Sequence, residues 1–164
     1  MSSIRVELNG DEQALLDRLS SLSEADTAAA MAAIGEALRT STLERFDTGT
    51  DPEGRRWRTS IRAEASGGKT LVKSGQLKSS IHTESSDKGV AVGTNKIYAA
   101  THQLGARNRT IRAKEGGLLR FKIGDRWISK KEVRVDIPAR PFLGVSEEDM
   151  QEISHIIENA VTGG

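Results

Sequence analysis

Between Ser23 and Phe46 the chain has one structure open to it. The run from Ala28 to Leu43 is rich in alanine, the residue with the highest intrinsic helix propensity, and contains no proline. Ser23-Glu-Ala-Asp26 precedes it as a capping-box-like start, with the shorter Asp at the third helical position. Ile34, Ala37, Leu38 and Phe46 supply a core face at helical spacing. This predicts the longest helix of the protein. A helix that long must bury its apolar stripe on another element, and the rest of the chain offers mainly strands for the purpose.

Those strands announce themselves by alternation. Ile4, Val6 and Leu8 alternate with polar residues. Ile81 to Glu84, a polar turn from Ser85 to Gly89, and Val90 with Val92 read as a hairpin. From Arg107 to Val135 the alternation continues through Ile111, Leu119, Phe121, Ile123, Trp127 and Val133, with glycine turn signals at 116–117 and at 124. Long basic side chains occupy the intervening places, which predicts one or two projecting hairpins with a basic face. Shorter helices are expected after Asn9 or Asp11, after Ser74, and from Tyr98 to a stop at Gly105. Ser146-Glu-Glu-Asp149 opens a final helix striped by Met150, Ile153, Ile156, Ile157 and Val161. Asp51-Pro52-Glu53-Gly54 matches a type I turn, and Ser60 to Thr70 reads as a mobile loop.

The sum is one α+β domain over residues 1–164: an antiparallel β-sheet with α-helices packed mainly on one face, plus an extended basic β-hairpin region at 107–134. At this length a domain hides roughly two thirds of its unfolded surface. With aromatics at only 4%, the core must come mainly from aliphatic residues.

Charge is unevenly spread. The net of +1 divides into −5 over residues 1–50, +4 over 51–106, +7 over 107–134 and −5 over 135–164. A chain with acidic ends and a basic middle can pair with its own copies or present a basic face to nucleic acid. The absence of cysteine rules out disulfides, thiolate metal sites and a cysteine nucleophile. No leader is visible in the first residues, and no apolar run approaches the roughly 18 residues of a membrane span, so no membrane is expected as a partner.

A catalytic set is not visible. His82, His102 and His155 lie in three different elements without a second histidine at ligand spacing, so no metal and no cofactor is expected. His102 could act as a general base, but no nucleophile motif accompanies it, and a histidine holding a helix end is the commoner case. The acidic loop near Asp51 lacks the alternating ligands and distal glutamate of a calcium loop. Trp57 between Arg56 and Arg58 could stack on bases or anchor the domain edge under arginine stems.

Two of the three prolines fall in Ile137-Pro-Ala-Arg-Pro-Phe-Leu-Gly144. Each proline lacks an N–H and disfavours helix in the residue before it, so Ile137 and Arg140 should be extended. Phe142 and Leu143 are then placed to pack on the core before Gly144 releases the chain into the Ser146 cap. Arg140, the single basic residue of the acidic tail, is open to an ion pair or an interface role.

Several stretches, taken in order, resemble one family. They are Phe46 with Asp51-Pro-Glu-Gly-Arg-Arg-Trp57, Leu71-Val-Lys-Ser-Gly-Gln-Leu77 with Ser80-Ile81, Val92-Gly-Thr-Asn95 with Tyr98-Ala99, His102-Gln-Leu-Gly105, and the proline octet. The pattern is similar to the virion morphogenesis or tail completion proteins of contractile-tailed, Mu-like bacteriophages and prophages. Leu104 stands where that family usually has an aromatic. Residues 1–45 and 107–134 match only in general character. The resemblance implies a non-enzymatic virion protein, assembled in the host cytoplasm and placed where the tail tube ends and meets the head connector. It implies a ring, for which sixfold symmetry would match a contractile tail, with tail tube and head-connector proteins as partners.

Candidate contacts from the motifs are Trp57, His102, Arg140 and Phe142. The basic segment adds Arg107, Arg109, Arg112, Arg120, Lys122 and Arg134. A nucleic-acid-binding module using 107–134 is the alternative reading, although near-zero net charge and the lack of a DNA-reading motif weigh against it.

Overall fold

A computed structural model describes the backbone of residues 4–7 and all of residues 17–163. The helix start predicted at Asn9 or Asp11, and Leu8, lie outside the described residues; residues 17–19 are helical. Strand β1 is Ile4–Glu7 and the long helix α1 is Glu24–Thr48. Ser23 caps α1 by accepting from the Asp26 N–H at 3.2 Å, and Gly49 ends it in the left-handed conformation with its N–H on the Arg45 carbonyl. Thr27, Ala30, Ile34, Leu38, Thr42, Arg45 and Phe46 are its buried side, a stripe at three- and four-residue steps.

That stripe lies on a three-stranded antiparallel sheet in the order β1-β3-β2, with β2 at His82–Ser86 and β3 at Gly89–Thr94. Central β3 pairs Val92 with Val6 on one side and with Thr83 on the other. Val90, Val92 and Thr94 are buried on one face, as the predicted alternation requires. Helix and sheet approach closely at Gly35, where an added Cβ would stand 3.0 Å from Val90 Cγ2. The last helix, α5 at Glu147–Thr162, packs against α1 with Ile153 and Ile157 buried, and Ser146 and Asp149 form the predicted capping box.

The core closes where chain segments far apart in sequence meet. Phe46 touches Trp57 edge-on at 5.7 Å between ring centres and Phe142 at 5.2 Å. The Asp51 turn forms as read, its carboxylate accepting from the Glu53 and Arg55 N–H groups and its carbonyl from Gly54.

The segment 60–70 is not the unstructured loop expected from its glycines and serines. It holds helix α2, Ile61–Ser66, capped by Ser60 and ended by left-handed Gly67. Short helices α3, Gln76–Ser79, and α4, Ala99–Leu104, complete the body.

The basic segment forms two antiparallel ribbons, one nested within the other along the chain. Strand β4, Ala106–Arg112, pairs with β7, Glu132–Ile137, and the nested hairpin pairs β5, Leu119–Ile123, with β6, Arg126–Lys130. Asn108 sits at a bulge between Ala106 and Arg109 with φ 52, its N–H held at 2.6 Å by the Asp136 carboxylate. The strands of this arm pack chiefly on one another.

Candidate functional site

The octet 137–144 gathers hydrogen bonds from residues far away in sequence. Its prolines cannot donate, and beyond Ile137 it has no partner strand among the described residues, so its backbone groups must find other partners. Side chains supply them. Trp57 Nε1 donates to the Pro141 carbonyl at 2.8 Å. Arg45 Nη1 donates to the carbonyls of Phe142 at 3.2 Å and Gly144 at 2.9 Å. Gln103 acts as a one-residue strand. Its Oε1 accepts from the Phe142 and Leu143 N–H groups, and its Nε2 donates to the Leu143 carbonyl at 2.8 Å.

Replacing Gln103 by Leu keeps the bulk and strands three backbone groups, so unfolding free energy should fall by about 2–3 kcal/mol. Urea titration measures this, and a loss below about 0.5 kcal/mol would refute the clamp.

Beneath the clamp, Arg45 Nη2 meets the Asp149 carboxylate at 2.5 Å, both side chains almost wholly buried. Burial opposes ionisation of Asp149, but hydrogen bonds from Ser146 and Ser41 and the charge of Arg45 outweigh it and hold the carboxyl below its ordinary value.

On the other side of the octet lies the end of α4. The Arg140 N–H donates to the His102 carbonyl at 2.7 Å, and the Arg140 Nε donates to the Arg58 carbonyl at 2.7 Å. Among the described residues no carboxylate makes the ion pair open to Arg140, and the partner of its Nε is a carbonyl. Burial, then the charges of Arg140 and Arg109, hold the His102 imidazole below its ordinary value. Arg140 and His102 share the wall of a cavity of about 310 Å³.

Trp57 and Phe142, expected as candidate contacts, are core residues instead. Phe142 is fully buried and Trp57 is 8% exposed, with its indole N–H already used. The six basic candidates of the arm are all exposed. Arg112 pairs with Glu132 at 3.2 Å, Lys122 lies 3.7 Å from Asp125, and Arg109 donates to Thr101 Oγ1.

Register sorts the arm into faces, because directly opposed residues share one. In the distal hairpin Arg120, Lys122, Trp127 and Ser129 form one face, and Leu119, Phe121, Ile123 and Ile128 share the other with Arg126 and Lys130. In the proximal ribbon Thr110, Arg112, Glu132 and Arg134 oppose a face of Arg109, Ile111, Val133 and Val135. None of these apolar residues joins the core cluster, and Trp127 is 68% and Ile123 61% exposed. The basic candidates therefore do not converge on one point. Arg140 and His102 belong to the body, the arm carries the rest, and Arg109 at the root lies near enough to His102 to act on its charge.

Reading the sequence missed Gln103, Arg45 and Asp149. Gln103 lay inside a noted stretch, and the Asp149 cap was read as a helix start, but neither local pattern says that a distant backbone needs partners. Among the described residues no group of three or more His, Asp or Glu could hold a metal ion, and no helix is long and apolar enough to cross a membrane.

The sequence model of the phage virion morphogenesis family matches residues 9–162. Among curated proteins, the chain is 28% identical over 158 residues to "Mu-like prophage FluMu G protein 2" of Haemophilus influenzae, covering 95% of this chain and 94% of that one. No solved structure matches the chain.

Proposed function

This chain belongs to the phage virion morphogenesis family, and from that premise we propose that it completes or terminates a phage tail and helps form the neck that joins head to tail, as a ring of copies. Membership supports a structural, virion-associated role. The similarity to a Mu-like prophage protein along nearly the whole length favours a contractile-tailed, Mu-like setting.

The observation that carries the ring is the arm. A ribbon with a net charge of +7 over 107–134 and exposed apolar side chains off the core is a poor surface for a solitary subunit. Exposed carboxylates of Glu24, Glu36 and Glu44 on α1 and of Glu147, Glu148 and Glu152 on α5 provide its counterpart on a neighbouring copy. A contact between two different surfaces of identical subunits is heterologous, and it closes into a ring when the rotation allows. The ring then seats on the end of the tail tube and offers its other side to the head connector.

Mass photometry of the pure protein, and cryo-EM of tail tubes incubated with it, should show closed rings. Arg120→Glu with Lys122→Glu should shift the population to smaller species by roughly an order of magnitude in concentration. A wild-type chain that stays monomeric at high concentration and on tubes would sink this reading.

One observation favours a second reading. Arg120, Lys122 and exposed Trp127 share a face of the distal hairpin, the combination that stacks bases and contacts phosphates in single-strand binders. That reading requires DNA retention that weakens steeply with salt. Unshifted DNA in a gel at low salt removes it.

A further inference from the structure

The cavity beside the octet is built for an anion. Arg140, 7% exposed, donates its Nε to the protein and lines the cavity, and among the described residues no acceptor takes its two Nη groups. His102 Nδ1 is buried and among the described residues has no hydrogen-bond partner. Arg62 and Lys73 add two more cations to the wall, and no Asp or Glu lines it. Leu71, another wall residue, is held at φ 62, a conformation a branched side chain adopts only when its surroundings impose it.

A buried guanidinium without a carboxylate is costly unless something supplies the charge. A carboxylate suits this guanidinium well, because its two oxygens match two parallel N–H donors. The rim says what presents it. Tyr98 is 41% exposed at the wall, and Ile61 is 85% exposed between the wall residues Ser60 and Arg62. Exposed aromatic and aliphatic side chains around a cationic centre are the make-up of a protein contact, not of a phosphate track.

Resting on the ring reading above, we propose that the Arg140–His102 cavity is a carboxylate receptor that seats an acidic side chain of a second copy of this chain. Residues 1–50 and 135–164, each with a net charge of −5, supply the donor, and the cavity and the arm become two separate points of one heterologous contact.

The test has two arms, both on the full chain. Sodium acetate, added at constant ionic strength, should shift the ring resonances of His102 and the Nε–H of Arg140 saturably, and Arg62→Glu with Lys73→Glu should abolish the shift. Both replaced side chains stand at the rim, so a thermal melt matching the wild type establishes that the variant folds. In the second arm, mass photometry should show this variant assembling only at roughly tenfold or greater higher concentration than the wild type. Wild type and variant assembling alike would overturn the receptor and leave the ring standing. A monomeric wild type would remove both. Inorganic phosphate outcompeting acetate, together with displacement of acetate by a DNA fragment, would replace the protein carboxylate by a nucleic-acid phosphate and overturn the proposal.

Discussion

Arg45→Ala should cost this fold about 3–5 kcal/mol, because it leaves the Asp149 carboxylate buried without its counter-charge. The side chain of Arg45 is 7% exposed and that of Asp149 8%, so water cannot take over the lost role. The same substitution removes the donors to the Phe142 and Gly144 carbonyls and loosens the octet from α1. For a domain of this size the midpoint of thermal unfolding should fall on the order of 10 °C. Adding Asp149→Asn removes the orphaned charge and should return part of the loss, giving a coupling energy of about 1–3 kcal/mol.

The charge account also fixes a pH signature. The folded-state pKa of Asp149 is depressed, so its contribution is present above the ordinary aspartate pKa of about 4 and is lost as pH falls through the lower folded value. In Arg45→Ala the carboxyl loses the guanidinium that favoured its charged form, and protonation then relieves the variant. The stability gap between wild type and Arg45→Ala should therefore narrow below about pH 4. It should not vanish, because the two carbonyl bonds are missing at every pH. A gap independent of pH from 7 to 3 would show that the penalty is packing and not charge.

These residues also mark the line between what the chain states locally and what it does not. Ser23 and Ser146 caps, the alanine stripe of α1 and the alternation of β3 could be read because their causes lie within a few residues. Helix α2 was legible in principle, since Ser60 and Gly67 are a valid cap and stop, but the glycines and serines around it carry the stronger loop signal. The arm was legible as β-structure, and its register only once paired. Trp57 failed differently. Three neighbouring arginines suggested a surface, yet the indole turns inward to Phe46 because Pro141, 84 residues away, presents a carbonyl to it. The same holds for Gln103 and Arg45: each answers a backbone about 40 or 100 residues distant. Partners at such separation leave no periodic trace.

Gly105→Ala brings body, octet and arm into a single measurement. Gly105 ends α4 at φ 74 and ψ 176, a region that is essentially glycine-only and costs about 1–3 kcal/mol for other residues. A Cβ there would stand 2.7 Å from the Ala139 nitrogen and 2.8 Å from the Ile137 oxygen. Both are backbone atoms that cannot rotate aside, so α4 and the octet must part, adding about 1–3 kcal/mol. The sum, about 2–6 kcal/mol, falls on the joint where Arg140 bonds His102 and where Ala106 pairs with Ile137 at the arm's root. Gly54→Ala is the control, with a similar φ of 77 and nothing within 4 Å of its Cβ, and it should cost only the backbone share, about 1–2 kcal/mol. Denaturant titration of the two variants separates dihedral strain from collision, and equal losses would refute the close approach. If the joint aims the arm, Gly105→Ala should also raise the concentration needed for assembly under conditions where it is still folded, while Gly54→Ala, at a similar φ but with nothing near its Cβ, should not.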